Sequence, residues 1–207
     1  MKKIFAVLLA LCLVLAAVPA TGIVVSADDT FGDFTYNKTF SGVLEITGYK
    51  GSSAEITIPS QIGDETVTAI GGNAFKNNTT ITSVEIPSTV KTIEYNAFQG
   101  CEALKSITIP DSVTKVESYA FDGCSALKTV VIGSGLKRIG TFIFRDCISL
   151  EKVTLGENVT GINDDSLDAG AFSGCTALSE IVWNDKIETI GDRAFSGCTA
   201  LRTLSIP

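Results

Sequence analysis

The chain has 207 residues, 45% of them apolar, which suits one domain with a sizeable core and is too hydrophobic for a disordered polymer. Its formal charge of −7 argues against a nucleic-acid partner, because a phosphate backbone calls for a basic face. Histidine is absent, which removes Ser-His and Cys-His catalysis and the commonest transition-metal ligand.

Residues 1–27 read as an export signal. Met1-Lys2-Lys3 is basic, Ile4 to Val18 is apolar, and Val25-Ser26-Ala27 fits a small-x-small cleavage site before Asp28. Val18-Pro19-Ala20 is the second choice. Cys12 lies inside the apolar run, unlike a lipoprotein anchor. The run is short for a membrane span and no other long one follows, so the mature chain is expected to be exported with no membrane span.

Residues 28–66 lie outside the regular beat of residues 67–207. Val43 to Ile46 and Glu55 to Ile58 alternate as short strands, joined by Gly48-Tyr49-Lys50-Gly51. They are read as an N-terminal β cap, because the end of a stacked fold exposes its core.

From residue 67 to 207 the chain repeats. Phe75, Phe98, Phe121, Phe144, Phe172 and Phe195 are spaced 23, 23, 23, 28 and 23 residues apart. Three residues after them stand Asn78, Cys101, Cys124, Cys147, Cys175 and Cys198, and three further on Ile81, Leu104, Leu127, Leu150, Leu178 and Leu201. In one coil, Leu104-x-x-Ile107-x-Ile109 ends in the alternation of a half-buried strand, which Pro110 terminates because it cannot donate to a ladder. Val113 and Val116 give a second apolar pair, and Ala120-Phe121 turns inward again. Two residues after each phenylalanine stands Asn77, Gly100, Gly123, Asp146, Gly174 or Gly197. These residue types tolerate positive φ, so a left-handed residue is expected there, ending a short helical turn around Ala-Phe.

One coil cannot bury its own inward residues, whereas stacked coils bury them at a strand spacing of about 4.8 Å. The expected fold is a curved, right-handed solenoid of about six 23-residue coils. One short parallel strand per coil lies on a shared face, with short turns, 3-10 or helical, on the other. The five extra residues of the long interval fall near Asp164 to Asp168, at a coil corner.

These residues resemble the BspA-like class of bacterial surface leucine-rich repeats, with consensus L-x-x-L-x-L-P-x-x-L-x-x-I-x-x-x-A-F-x-x-C-x-x. Leu104 to Ala126 matches nearly every fixed position, and the match runs from about Val67 to Pro207. Asn78 in place of cysteine, Ile143 in place of alanine, Gly133 and Gly156 in place of proline, and the long interval are its departures. The resemblance implies a leucine-rich-repeat solenoid that binds other molecules at the cell surface.

Five cysteines in one column of an exported chain raise the question of disulfides. An odd number cannot all pair internally, and side chains stacked in a column run parallel. Buried free thiols bonded to backbone at the turn are expected, with disulfides or a metal as the alternative. Asn163 to Asp168 carries three carboxylates, but Leu167 breaks the spacing of a calcium loop, so a solvated acidic loop is expected. Trp183 falls in the inward strand column and is read as packing. The N-x-Thr sequons at Asn37, Asn78 and Asn158 read as chance in a bacterial chain. No carboxylate pair, phosphate loop or nucleophile elbow is apparent, so neither catalytic residues nor cofactor nor metal is expected.

The candidate binding face is the outward side of the strands. One column holds Ser83, Ser106, Thr129, Lys152, Glu180 and Thr203, and its neighbour holds Glu85, Thr108, Val131, Thr154, Val182 and Ser205. An ordinary solvated sheet is the alternative reading of the same β-forming residues. The resemblance implies a non-catalytic, adhesin-like function, with a protein or glycan partner on host cells, matrix or other bacteria. Two other functions are weighed. Pro207 falls where a strand finishes, so the native product is expected to continue, and the chain would then be a targeting module of a larger secreted enzyme. Otherwise it is a structural spacer that self-associates through its open edge.

Overall fold

The computed structural model describes residues 28–163 and 170–206. The expected export signal, Asp164 to Asp168 of the insertion, and Pro207 lie outside the described residues.

Strand-forming alternation repeats with the predicted period, and each repeat forms one coil. The longer strands are β4 (Glu55–Thr57), β7 (Ser83–Glu85), β9 (Ser106–Ile109), β11 (Thr129–Ile132), β13 (Lys152–Thr154) and β15 (Glu180–Val182). They form one six-stranded parallel sheet in chain order. Residues alternate across it: Ser106 and Thr108 are exposed, while Ile107 and Ile109 are buried. Every parallel step is one coil, so the ladder bonds stack the coils.

Each coil also carries a second short strand, where the sequence led us to expect only an apolar pair. These are β8 (Thr92–Ile93), β10 (Lys115–Val116), β12 (Arg138–Ile139), β14 (Gly161–Ile162) and β16 (Thr189–Ile190). β10 pairs with β8 and β8 with β6 (Glu65–Ile70), while β12, β14 and β16 form a separate three-stranded sheet. The shared face thus holds one strand per coil as expected, and a second strand per coil is added on another side. Two residues suffice for a ladder because the longer strand already holds the coils in register.

The parallel order reaches back into the N-terminal segment. β3 (Leu44–Tyr49) pairs in parallel with β6, and β4 with β7. Antiparallel partners flank them: β1 (Asp29–Phe31) with β2 (Phe34–Lys38), β2 with β3, and β5 (Gln61–Ile62) with β6. The two strands read from the sequence are β3 and β4, while the β1–β2 hairpin had no expectation attached to it.

The third side of the coil is made of turns. Among the described residues there is no helix: of the expected short turns, 3-10 or helical, this side forms plain turns. Two left-handed residues in every corner but that of Phe172, which has one, prevent a helix. The expected column is left-handed throughout, from Asn77 at φ 59° to Gly197 at φ 79°. A second column, two residues before the phenylalanine, is left-handed at Asn73, Asn96, Tyr119, Phe142 and Arg193. The alternation sends every other N–H to the neighbouring coil. Asn73 N donates to Tyr95 O, Phe75 N to Ala97 O and Asn77 N to Gln99 O, at 3.0, 2.7 and 2.7 Å. The amides between them close i→i+3 turns, as Lys76 N does on Asn73 O at 3.1 Å. A helix would point all its N–H groups along its own axis and leave the coils unjoined.

The core between the three sides is one cluster. The phenylalanines stack ring on ring, with centroids 4.8 to 5.5 Å apart from Phe75 to Phe195 and planes within 11°. Their spacing is close to that of the strands, so one ring per coil fills the interior. All five cysteines among the described residues are free and buried. Each Sγ donates to the carbonyl of the phenylalanine one coil back, from Cys101 on Phe75 O at 3.1 Å to Cys198 on Phe172 O at 3.2 Å. A small, weakly polar side chain suits a buried site with one carbonyl to satisfy. Asn78 holds the same position in the first corner, where its Oδ1 accepts from Thr80 N and Ile81 N at 3.0 and 2.9 Å. Trp183 is half-buried with its ring edge-on to Phe195, centroids 6.4 Å apart.

Candidate binding face

The outward residues of the longer strands form two continuous columns, because a parallel register without slips keeps equivalent residues side by side. Ser106 pairs with Ser83 and Thr129, Lys152 with Thr129 and Glu180; Val131 pairs with Thr108 and Thr154, and Val182 with Thr154. Ser83, Glu85, Ser106, Thr108, Thr129, Val131, Glu180 and Val182 are exposed, and Lys152 and Thr154 half-buried. Thr203 and Ser205 are exposed too, but lie beyond the last strand. The structure thus brings ten of the twelve expected positions into one sheet face and leaves the last two adjoining it.

The charges on this face are mixed and partly paired. Lys152 Nζ lies 2.6 Å from Glu180 Oε1, and Lys128 Nζ lies 3.6 Å from Glu151 Oε1 in the flanking column. Exposed pairs of this kind contribute little to stability, on the order of 0–1 kcal/mol. Val131 and Val182 are 42% and 38% exposed, which leaves two apolar contacts amid hydroxyls.

Two hollows open on the same side. One, of 310 Å³, lies where β7 and β9 pair only at Ser83 and Ser106, and is lined by Ser83, Glu85, Ser106, Thr108 and Pro110 among others. The other, of 330 Å³, lies against the N-terminal hairpin between Phe31, Asp33, Phe34, Tyr49, Glu55 and Thr57. Phe34 and Tyr49 rings lean together with centroids 5.1 Å apart, and Phe31 is 45% exposed.

Glu55 and Thr57 continue the two columns by one coil, paired with Ser83 and Glu85; Thr57 Oγ1 donates to Glu85 Oε2 at 3.0 Å. The sequence reading missed both as face residues. Their signal was present: Pro59 follows Glu55 at the distance at which Pro87 and Pro110 follow Ser83 and Ser106. Phe31 and Phe34 had no such signal, because only the fold brings the hairpin beside β4.

Burial pushes up the core thiols Cys147 and Cys198, Cys198 to about 12. Among the described residues no group of three or more Cys, Asp or Glu converges as a metal site, and no helix is long and apolar enough to cross a membrane.

The profile of the BspA type leucine rich repeat region matches in six copies over residues 49–169 and 165–207. Among solved structures, a leucine rich cell surface protein of Faecalibacterium prausnitzii A2-165 is 30% identical with a TM-score of 0.67. The match covers 86% of this chain and 54% of that one, so this chain spans about half its relative's length. A leucine-rich repeat protein of Eubacterium ventriosum is 29% identical with a TM-score of 0.69, over 83% of this chain and 46% of that one. The T. pallidum leucine rich repeat protein is 28% identical with a TM-score of 0.60, over 84% and 91%. No curated protein matches. Repeat register, solenoid fold and family profile agree: the chain belongs to the BspA-type leucine-rich repeat family of bacterial repeat proteins.

Proposed function

We propose that this chain is an exported, non-catalytic recognition protein of the bacterial surface, and that it binds a protein or glycan on host cells, matrix or other bacteria. The contact is made by the outward residues of the longer strands, from Glu55 to Ser205. The observation that carries this reading is the pair of outward columns in register across six strands, with hydroxyls, mixed charge and two exposed valines. A broad face with many small donors and scattered apolar contacts suits an extended partner rather than a small molecule. That the F. prausnitzii relative is a cell surface protein supports export, as does the signal-like composition of residues 1–27. Residues 28–66 act as the cap of the first coil.

The test is binding of the purified protein to immobilised matrix proteins, mucin and whole bacterial cells. Saturable binding is expected on at least one of them. The double change Val131→Arg and Val182→Arg should weaken it about tenfold or more, without moving the thermal midpoint, since both side chains point to solvent. Unsaturable binding, or affinity indifferent to both changes, would overturn the assignment. Mass analysis of the secreted product should place its first residue at Asp28.

A further inference from the structure

The second-strand side of the solenoid breaks at one coil. β8 pairs with β10, and β12 with β14, but among the described residues no pairing joins β10 to β12. The chain enters this coil through Gly133-Ser134-Gly135, packed hard against the coil before. A Cβ on Gly133 would stand 2.5 Å from Asp111 N, and one on Gly135 would overlap the carbonyl oxygens of Asp111 and Val113. Ser134 N is held by Asp111 Oδ1 at 2.7 Å. Past this corner the two coils separate. A hollow of 510 Å³ opens between them, lined by Thr114, Lys115, Val116, Leu136, Lys137 and Arg138 with two glycines. A second, of 470 Å³, continues from it through the shared Gly135 and Lys137 to Ser134, Asn158, Thr160, Lys186 and Glu188.

The charge of this furrow runs against that of the whole chain. Lys115, Lys137, Arg138 and Lys186 line it and are exposed, and among the described residues Glu188 is the one carboxylate in its lining. In the two coils before the break, the residue after the second strand is acidic: Glu94, then Glu117, which forms an ion pair with Lys115. In the broken coil that place is Gly140. Lys137 and Arg138 therefore carry two charges beside a position that holds an acid in the earlier coils and glycine here. Arg138 donates to neutral acceptors, Asn163 O at 2.6 Å and Thr189 Oγ1 at 3.4 Å. Lys186 Nζ donates to Asn158 Oδ1 at 3.1 Å.

We propose that this furrow is a second binding site, distinct from the strand face, and that it takes an anionic polysaccharide bearing carboxylate or sulfate groups. The furrow crosses the coils, so its cations recur along the solenoid axis, over about 14 Å from the coil of Lys115 to that of Lys186 at about 4.8 Å per step. A chain whose negative charges recur along its length matches that array. The hydroxyls of Thr114, Ser134 and Thr160 and the amide of Asn158 stand between the cations. They suit the hydroxyls of a sugar chain better than an acidic peptide, whose backbone would need a free strand edge longer than two residues.

The test uses the full exported protein with heparin as the sulfated probe, polygalacturonate as the carboxylated one and polyglutamate as the peptide comparator, by calorimetry at two salt concentrations. Saturable binding of at least one polysaccharide is expected, weakening with salt. Lys137→Glu with Lys186→Glu should weaken it about tenfold or more, the equivalent of one charged hydrogen bond lost. Gly140→Glu restores the acid of the earlier coils and should weaken binding in the same direction. Its Cβ would meet only Ile143 Cδ1, at 3.6 Å, so the coil still folds and a thermal melt confirms it. Lys137→Arg should leave binding intact. The strand-face double variant should also bind normally, which separates failure here from failure of the strand-face reading. No binding of either polysaccharide, indifference to Gly140→Glu in a folded protein, or polyglutamate binding as tightly would overturn the proposal.

Discussion

The two strand-bearing sides of this molecule have the same repeat and opposite continuity. The longer strands run unbroken from β4 to β15, while the second strands stop at β10 and resume at β12. The difference lies in how much each strand buries. Val130 and Ile132 on β11 are 1% and 2% exposed, so a slip there would turn two core residues out. On β12 only Ile139 points inward, at 1%, while Arg138 is solvated. One inward residue can stay in the core while the ladder beside it opens. A repeat protein therefore tolerates irregularity, and the surface features that come with it, on the side where each coil contributes least to the core.

That comparison can be broken at several points. The largest effect is expected from Phe121→Ala, because Phe121 is fully buried and stacked on Phe98 and Phe144 at 5.1 and 5.3 Å. It should cost about 3–5 kcal/mol in chemical denaturation; a loss below about 1 kcal/mol would mean that the ring column does not hold both sides together. Arg145→Ala comes next, at about 2–3 kcal/mol. Arg145 Nε and Nη2 reach Asp122 Oδ1 and Oδ2 at 2.8 and 3.0 Å, and without them a 5%-exposed carboxylate keeps, among the described residues, Gln99 Nε2 at 2.8 Å. A fall that Asp122→Asn relieves in the Arg145→Ala background would confirm the cause.

A matched pair sharpens the comparison itself. Val130→Ala on the unbroken sheet should cost about 2 kcal/mol, and Val116→Ala beside the break about 1 kcal/mol or less, since Val116 is only half-buried. Equal losses would show that continuity does not follow burial. Gly123→Val should cost about 1–2 kcal/mol, because φ is 69° there and a β-branched residue resists that conformation. Unchanged stability would remove the conformational reason for glycine in that column.

The smallest effect near neutral pH is that of the thiols. Burial raises Cys101, Cys147 and Cys198 in the folded state, Cys198 to about 12, while unfolded thiols ionise near about 8.5. The unfolded chain therefore releases protons first, and stability should be flat below that value and fall as pH rises through it toward the folded pKa. Denaturation midpoints at pH 7, 9 and 10 check the sign; a midpoint that rises with pH would contradict buried neutral thiols. All five thiols should react with iodoacetamide only after unfolding.

Period, inward columns and the left-handed position after each phenylalanine were all legible in the sequence, because each is a local demand repeated in every coil. A 23-residue beat forces equivalent residues into stacks, and glycine, asparagine or aspartate at one place reveals a backbone angle without any structure. The outward columns follow from the same alternation, so most of the candidate face was readable too. What only the tertiary structure decided depends on contact between coils. Tyr119, Phe142 and Arg193 give no sign of positive φ, and Tyr119 and Phe142 adopt it where their rings stack at 4.6 Å beneath the Arg145 guanidinium. The break between β10 and β12 is of the same kind. Gly133, Gly135 and Gly140 are ordinary substitutions in a repeat until the neighbouring coil is in place, and only then do they set how closely two backbones approach and which cations lose the acid of the earlier coils.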